Sequence, residues 1–240
     1  MLPRSQPLAG VRVLELGQLI AGPLAGTLLG YFGAEVIKVE PPGGDPLRTW
    51  RGMEEGTSVW WRSLARNKRS VVRELRVPEG RALCAELIAK SDVGVENFKP
   101  GVLEGWGLGP DDLAERAPRV IWARVSGFGQ TGPYRTRAGF ASVCEAMGGL
   151  RHLTGEPGRV PVRANLSLGD SLGGLHAVMG VLLALLERER SGRGQVVDVA
   201  LTESVFNVLE SVLVEQDRLG VVRGPSGPTI TGIAPSNTYP

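Results

Sequence analysis

The sequence predicts an α/β fold built on a parallel sheet. A strand, a helix and a second strand follow one another within residues 9–40, which is the close spacing of a β-α-β unit. Further strand-like segments at 92–96, 119–125 and 195–201 alternate with helix-like segments. The composition, 42% hydrophobic and 22% charged over 240 residues, is typical of one or two globular domains.

The first β-α-β unit divides into an apolar strand at 11–16, a glycine-proline turn, a helix at 24–32 and a strand at 34–40. Pro23 suits the first position of a helix. Glu40 ends the second strand, where dinucleotide-binding folds place a ribose-binding acid. The turn lacks the G-x-G-x-x-G spacing, however, which favours a nucleotide-like fold that does not bind NAD.

The middle of the chain adds basic residues and further strands. An Arg- and Trp-rich loop at 45–70 ends in the run NKRS at 67–70, just before a predicted strand at 71–75. These basic side chains suit either phosphate contacts or a solvated face. Helices are predicted at 78–90 and 110–115.

Two predicted strands lead into loops that can meet a ligand. Asn97, Phe98 and Lys99 follow the strand at 92–96, and a loop with three glycines at 126–133 follows the strand at 119–125. In open parallel sheets, ligands bind beyond the carboxyl ends of the strands. We therefore expect these loops to line a binding site.

The last third of the chain is organised around one long apolar helix, predicted at 166–191, with Asp170 near its start. An aspartate there is most often an N-cap. It is equally placed to be an ionised nucleophile, because the helix dipole favours negative charge. The neighbouring glycines at 169, 173 and 174 indicate either room for a ligand or close helix packing. Helices are also predicted at 138–147 and 202–219.

Composition excludes several functions. The net charge is only +2, and the basic residues are scattered, which argues against nucleic-acid binding. The apolar run at 178–186 is too short to span a membrane, and the first apolar stretch contains Glu15, so no signal peptide is expected. The two histidines and two cysteines do not have metal-ligand spacing. Buried free thiols at Cys84 and Cys144 would fit the cytoplasm.

Taken together, these segments resemble the class III CoA-transferases, the family of formyl-CoA transferase and carnitine CoA-transferase. The motifs that carry the resemblance lie at residues 8–16, 21–23, 33–40, 67–70, 95–101, 126–133, 168–171 and 188–195. Their order along essentially the whole chain makes the match specific. The resemblance implies a Rossmann-like large domain, with acyl-CoA and a small carboxylic acid as substrates and no permanently bound cofactor.

The resemblance also implies a mechanism and a set of contacts. Asp170 would attack the donor thioester, and an aspartyl anhydride and an aspartyl-CoA thioester would follow. The implied CoA contacts, by motif position, are Ile20, Ala21, Pro41, Arg73, Glu74, Leu75, Arg76, Asn97, Phe98, Lys99, Ala138, Gly139, Phe140 and Ala141. Arg73, Arg76 and Lys99 suit phosphates, and Phe98 suits the adenine ring.

The sequence departs from the family pattern at four positions. Gly105 stands where some members have an arginine, Ala141 where many have an acid, and Glu145 where glutamine is common. Phe140 replaces the histidine that the racemases of the family use, which argues against racemisation. The departures affect the substrate more than the reaction.

Family members are longer than this chain and form interlocked dimers. We assign residues 1–219 to the large domain and 220–240 to the start of a linker toward a small domain that the sequence lacks. The leading prediction is therefore a CoA-transferase that works as an interlocked homodimer when full length. The alternatives are a non-catalytic CoA-binding fragment and an acyl-CoA racemase of the same fold.

Overall fold

The computed structural model describes residues 6–239 and has the predicted α/β architecture. The strands in this range are β1 (Arg12–Glu15), β2 (Glu35–Glu40), β3 (Met53–Glu54), β4 (Thr57–Ser58), β5 (Lys68–Val72), β6 (Val93–Glu96), β7 (Ile121–Ser126) and β8 (Val196–Ala200). The α-helices are α1 (Ala21–Tyr31), α2 (Val59–Leu64), α3 (Pro78–Ala89), α4 (Val102–Gly105), α5 (Ala141–Met147), α6 (Leu150–Leu153), α7 (Leu168–Ser191), α8 (Leu201–Asn207) and α9 (Val212–Leu219). A short 3₁₀ helix spans Pro46–Thr49.

Six strands form one parallel sheet in the order β5-β2-β1-β6-β7-β8, and β3 and β4 form a small separate hairpin. This is the strand order of a doubly wound Rossmann sheet. All six strands are parallel, but successive strands are added toward one edge of the sheet up to β5 and toward the other edge from β6 onward, so the order reverses between β1 and β6. Ligands in such sheets bind beyond the carboxyl ends of the strands at that reversal. The predicted fold class is confirmed.

Helices cover both faces of the sheet. On one face α1 and α7 bury Ala25, Leu29 and Val181 against the strands, and on the other face α3 buries Cys84 and Ile88. The strands between them are apolar on both sides, as with Val13 and Leu14 of β1, because a parallel sheet is covered on both faces. The predicted helices at 24–32, 78–90 and 166–191 are confirmed in place.

Within the described residues, α7 is the one helix long and apolar enough to cross a membrane by length and composition. The length argument made from residues 178–186 was therefore wrong. The helix instead packs against α1, β7, β8 and α8, with Ala177 and Val181 fully buried. One apolar side of α7 faces the sheet, whereas Leu175, Met179 and Leu186 on the rest of the helix are exposed.

Three other segments differ from the sequence expectation. No helix forms at 110–115, where the chain makes turns instead. The predicted helix at 202–219 is divided between α8 and α9 by a turn in which Glu210 has a φ of 55°. The strand expected at 71–75 lies earlier, as β5, and includes Lys68.

Beneath the loop that follows β1, four charged side chains form a buried network. Lys38 Nζ lies 2.9 Å from Glu15 Oε1 and 3.0 Å from Asp45 Oδ2, and Lys68 Nζ lies 2.7 Å from Glu15 Oε2. Lys38 also donates to the Gly17 carbonyl oxygen, and the Leu19 N–H donates to Asp45. The network therefore ties the loop at residues 17–20 to β1 and β2.

Candidate active site

A cleft of about 470 Å³ lies over the carboxyl ends of β1, β6 and β7, at the reversal of the sheet. Its wall includes these predicted residues: Ile20, Ala21, Asn97, Phe98, Lys99, Ala138, Gly139, Phe140, Ala141 and Asp170. Segments far apart in sequence thus meet in one place, because parallel strands end at the same edge of the sheet.

Asn97 fixes the loop at the floor of this cleft. The Gln18 N–H donates to Asn97 Oδ1 (2.7 Å), and Asn97 Nδ2 donates to the Gln18 carbonyl oxygen (2.8 Å). A Cβ on Gly17 would lie 2.8 Å from Asn97 Oδ1, so only glycine fits there without displacing the amide. The amide of Asn97 therefore holds the loop at residues 17–20 in place. Asn97 also lines the cleft.

Asp170 lies in the first turn of α7 and not at its N-cap. Ser167 is the N-cap residue, and its side chain makes no capping hydrogen bond. No hydrogen bond from another described residue reaches the Asp170 carboxylate, although the residue lines the cleft. The more common interpretation of this aspartate as an N-cap was therefore wrong, and its carboxylate is free to meet a ligand.

The pKa of Asp170 is raised from 3.8 to about 6. Burial is the main cause, the negative charge of Glu145 adds to it, and Arg163 acts in the opposite direction. The helix dipole favours the ionised form, as expected from the sequence, but desolvation outweighs it and raises the pKa. The carboxylate is thus ionised near neutral pH yet more basic than an ordinary aspartate, which suits a nucleophile.

The three glycines around Asp170 serve packing and do not make room for a ligand. A Cβ on Gly169 would lie 3.2 Å from the Ala141 Cβ, and one on Gly173 would lie 2.4 Å from Leu201 Cδ2. A Cβ on Gly174 would lie 3.0 Å from the Ala21 carbonyl oxygen. Their absence of side chains lets the start of α7 approach α1, α5 and α8.

A second cleft of about 230 Å³ adjoins the first beyond β1 and β2. It is lined by the remaining predicted contacts, which are Pro41, Arg73, Glu74, Leu75, Arg76 and Phe98. Phe98 lines both clefts and packs edge-to-face on Trp106 with ring centroids 5.4 Å apart. Every predicted site residue therefore lines one of two adjoining clefts, and a contact with CoA stays a prediction.

The basic residues differ in how free they are. Arg76 is engaged by Glu74 at 3.0 Å, whereas Arg73 donates only to the Val72 carbonyl oxygen in the part of the chain described. The phosphate interpretation of the run at 67–70 does not hold for Lys68, which is buried against Glu15. Burial lowers the pKa of Lys68.

Glu40 is not available to a ribose. Its carboxylate is almost fully buried and accepts two hydrogen bonds of 2.8 Å from Arg48 and one from the Asp45 N–H. Burial acts to raise its pKa, but the hydrogen bonds from Arg48 and Ser70 outweigh it and lower the pKa to about 2. Glu40 thus fixes the loop after β2.

Sequence reasoning missed several side chains of the large cleft. Cationic and aromatic groups that were not predicted as contacts, namely Trp50, Arg51, Trp60, Arg135 and Arg137, line it together with Ser142. Arg51 stacks on Trp60 at 3.9 Å, and Arg137 on Tyr134 at 4.0 Å. The abundance of Arg and Trp at 45–70 was the available signal, whereas residues 135 and 137 gave none.

A family model described as CoA-transferase family III matches residues 8–240. The chain belongs to CoA-transferase family III. The resemblance drawn from the sequence motifs is confirmed.

Two curated relatives show how similar the chain is to known proteins. It is 53% identical over 237 residues to a succinyl-CoA–D-citramalate CoA-transferase of Chloroflexus aurantiacus, covering 98% of this chain and 59% of that protein. It is 42% identical over 209 residues to a human succinyl-CoA:glutarate CoA-transferase, covering 86% and 48%. The chain thus spans about half the length of the curated relatives it matches.

A solved structure supports the same placement. A CAIB/BAIF family protein from Brucella suis superposes with a TM-score of 0.93 at 38% identity, covering 99% of this chain and 64% of that one. The assignment of residues 1–219 and 220–240 to a large domain and a linker stays a prediction.

Proposed function

We propose that this protein is a CoA-transferase that moves CoA from an acyl-CoA donor to a carboxylic acid. The observation that carries the proposal is Asp170, a carboxylate without a hydrogen-bond partner in the described chain, lying in the main cleft of a family III fold. An unpaired carboxylate ionised near pH 7 can attack a thioester carbonyl. An amide in its place could not.

The reaction balances in four steps. An oxygen of Asp170 attacks the donor carbonyl carbon, the C–S bond breaks, and CoA leaves as a thiolate with a mixed anhydride on the aspartate. The thiolate then attacks the aspartyl carbonyl and expels the donor acid as its carboxylate. The acceptor carboxylate displaces CoA from this aspartyl thioester, which forms a second anhydride. Finally the thiolate attacks the acceptor carbonyl and restores Asp170.

The two clefts divide the substrate between them. The acyl and thioester end would lie in the large cleft beside Asp170, and the nucleotide end would reach the small cleft, where Arg73 is the freer cation. Phe98 stands between the two, so its ring can pack against the CoA chain or base. Lys99 and Arg76 remain in reach of phosphates at the cleft edges.

We further propose that both acids are short dicarboxylates, with succinyl-CoA as the donor. The two relatives described above are named as succinyl-CoA transferases that act with citramalate or glutarate. Arg163 supports this, since it lines the cleft close enough to Asp170 for its charge to act on that carboxylate. A guanidinium there can bind the far carboxylate of a dicarboxylic acid.

Arg163→Gln tests the dicarboxylate proposal. We expect KM for succinyl-CoA to rise about tenfold, the cost of one charge-assisted hydrogen-bonded pair. Transfer from acetyl-CoA, which has no second carboxylate, should change little. Arg159→Gln, at an exposed position in the same segment, is the control. Equal losses with both donors would contradict the proposal.

The covalent mechanism is tested by intact mass after mixing the protein with succinyl-CoA. We expect an adduct that hydroxylamine removes and that Asp170→Asn lacks, together with a loss of transfer to the background level. Bound CoA without an adduct would instead favour a non-catalytic binding module. Exchange of the α-proton without an acceptor acid would favour a racemase, although Phe140 supplies no base for it.

Assembly and location complete the proposal. We propose a homodimer, supported by a row of exposed apolar side chains on α7 that includes Leu175, Met179 and Leu186. Light scattering at several concentrations tests it, and a monomer throughout would contradict it. A cytoplasmic location is supported by the buried free thiols of Cys84 and Cys144.

A further inference from the structure

Glu145 is a buried carboxylate next to the proposed nucleophile. It lies on α5, is only 2% exposed, and belongs to the helix that packs against the start of α7. A buried charge is costly unless it is paired and hydrogen-bonded, so its partners indicate why it is kept.

The partners of Glu145 come from three segments. Its Oε1 accepts from the Gly169 N–H at 3.2 Å, which is a free N–H in the first turn of α7. Its Oε2 lies 3.1 Å from the guanidinium of Arg151 on α6 and 3.6 Å from Nε of Arg163. One carboxylate thus caps the helix from outside and holds two arginines.

The residue that Glu145 caps is the immediate neighbour of Asp170. Fixing the Gly169 backbone fixes the first turn of α7, and hence the point from which the Asp170 side chain leaves the helix. The N-cap residue, Ser167, does not cap the helix with its own side chain, so in the described chain the Gly169 N–H is capped by Glu145.

We propose that Glu145 is a positioning residue for Asp170: it fixes the first turn of α7 and takes Arg151 and Arg163 as its own partners, so that the nucleophilic carboxylate stays unpaired. This rests on the proposed transferase function. Arg163 remains loosely held, and can turn toward a substrate carboxylate without pairing with the nucleophile.

The electrostatics agree with the geometry. After burial, Glu145 is the next cause that raises the pKa of Asp170, and both carboxylates also raise the pKa of Cys144, for which burial is again the main cause. Removing the Glu145 charge should therefore lower the pKa of Asp170. Release of Arg151 and Arg163 from Glu145 would lower it as well, because an arginine paired with Asp170 favours the ionised carboxylate.

The other charged groups around Asp170 are few. Arg51, Lys99, Arg135 and Arg137 line the cleft with Arg163. The segment of α1 that packs on α7 has no charged side chain, α8 contributes only the exposed Glu203, and on β7 Arg124 is held by Glu96 and Glu104. Asp198 on β8 accepts from the Gln130 N–H.

Glu145→Gln separates these roles, because the amide oxygen can still accept from Gly169 while the charge is lost. The measurement is the ¹³C signal of the Asp170 side-chain carboxyl against pH, assigned with Asp170→Asn. We expect the midpoint to fall by about one unit. The acid limb of the pH profile of kcat/KM should shift to lower pH by the same amount as this midpoint.

The control is Glu203→Gln, which removes an exposed carboxylate from α8 and should leave the midpoint in place. Glu145→Asp keeps the charge, so its midpoint should stay near that of the unchanged protein even if the variant is less stable. An unchanged midpoint in Glu145→Gln, or the same shift in Glu203→Gln, would overturn the inference. The carboxyl titration needs no turnover, so a failure of the transferase proposal would show separately, as a missing adduct and missing transfer.

Discussion

The two walls of the large cleft treat charge in opposite ways. Under the β1 side, Glu15, Lys38, Asp45 and Lys68 pair with one another and with backbone groups, all but out of reach of solvent. On the α7 side, Asp170 has no hydrogen bond from any other residue in the range 6–239. The paired charges hold the loop after β1 in one conformation, whereas the unpaired carboxylate of Asp170 is available to react with a ligand.

The largest expected effect is on stability, and it comes from removing one member of the buried network of Glu15, Lys38, Asp45 and Lys68. Lys38→Met leaves Glu15 and Asp45 buried with one cation fewer, and losing one partner of a buried pair costs about 3 to 5 kcal/mol. We expect the free energy of unfolding, measured in urea, to fall by that amount. Lys90→Met, at an exposed position, should change it by less than about 0.5 kcal/mol. Equal stability of the two variants would contradict the role of the network.

Removing the unpaired charge of Asp170 should have the opposite effect and increase stability at neutral pH. The pKa of Asp170 is raised when folded, to about 6 from 3.8, so its contribution to stability is present below about pH 4 and lost as the pH rises through 6. Asp170→Asn should therefore raise the free energy of unfolding by about 1 to 2 kcal/mol at pH 7, allowing for partial exposure.

The gain from Asp170→Asn should be small at about pH 3, below the pKa of the aspartate in both the folded and the unfolded state. Urea unfolding at the two pH values measures it, with Asp111→Asn as the control for losing an exposed charge. A gain that is the same at both pH values would mean that the amide stabilises for another reason.

The smallest effect concerns Ser126, whose hydroxyl is buried in the large cleft with no partner in the described chain. An available hydroxyl can donate to a bound acyl group, and such a bond contributes about 1 kcal/mol. We expect Ser126→Ala to raise KM about fivefold and to leave stability unchanged. Ser204→Ala, buried on α8 outside that cleft, is the control. A KM that does not move would remove Ser126 from the binding wall.

The local patterns in the sequence were enough for the framework. The β-α-β unit and the long helix were readable from apolar periodicity and from glycine and proline positions, and α7 begins within two residues of its predicted start. The position of β5 was not readable. Lys68 belongs to that strand because Glu15, more than fifty residues earlier in the sequence, neutralises it in the interior.

The candidate site was only partly predictable. Asp170 and the lining residues came from the motif order, and the structure brings them to two adjoining clefts. Glu145 was visible only as an unusual residue in a motif. Its importance depends on contacts with Gly169, Arg151 and Arg163, and partners of that kind are set by tertiary packing.

The placement of tryptophan gives the molecule its own optical probes. Trp50 and Trp60 line the large cleft and Trp106 lines the small one, in contact with Phe98, while Trp61 and Trp122 are buried in the core. Fluorescence from the two compartments can therefore be separated by Trp106→Phe. Stopped-flow emission, with no label attached, can then follow the order in which the two ends of the proposed substrate, a CoA thioester, enter the two clefts.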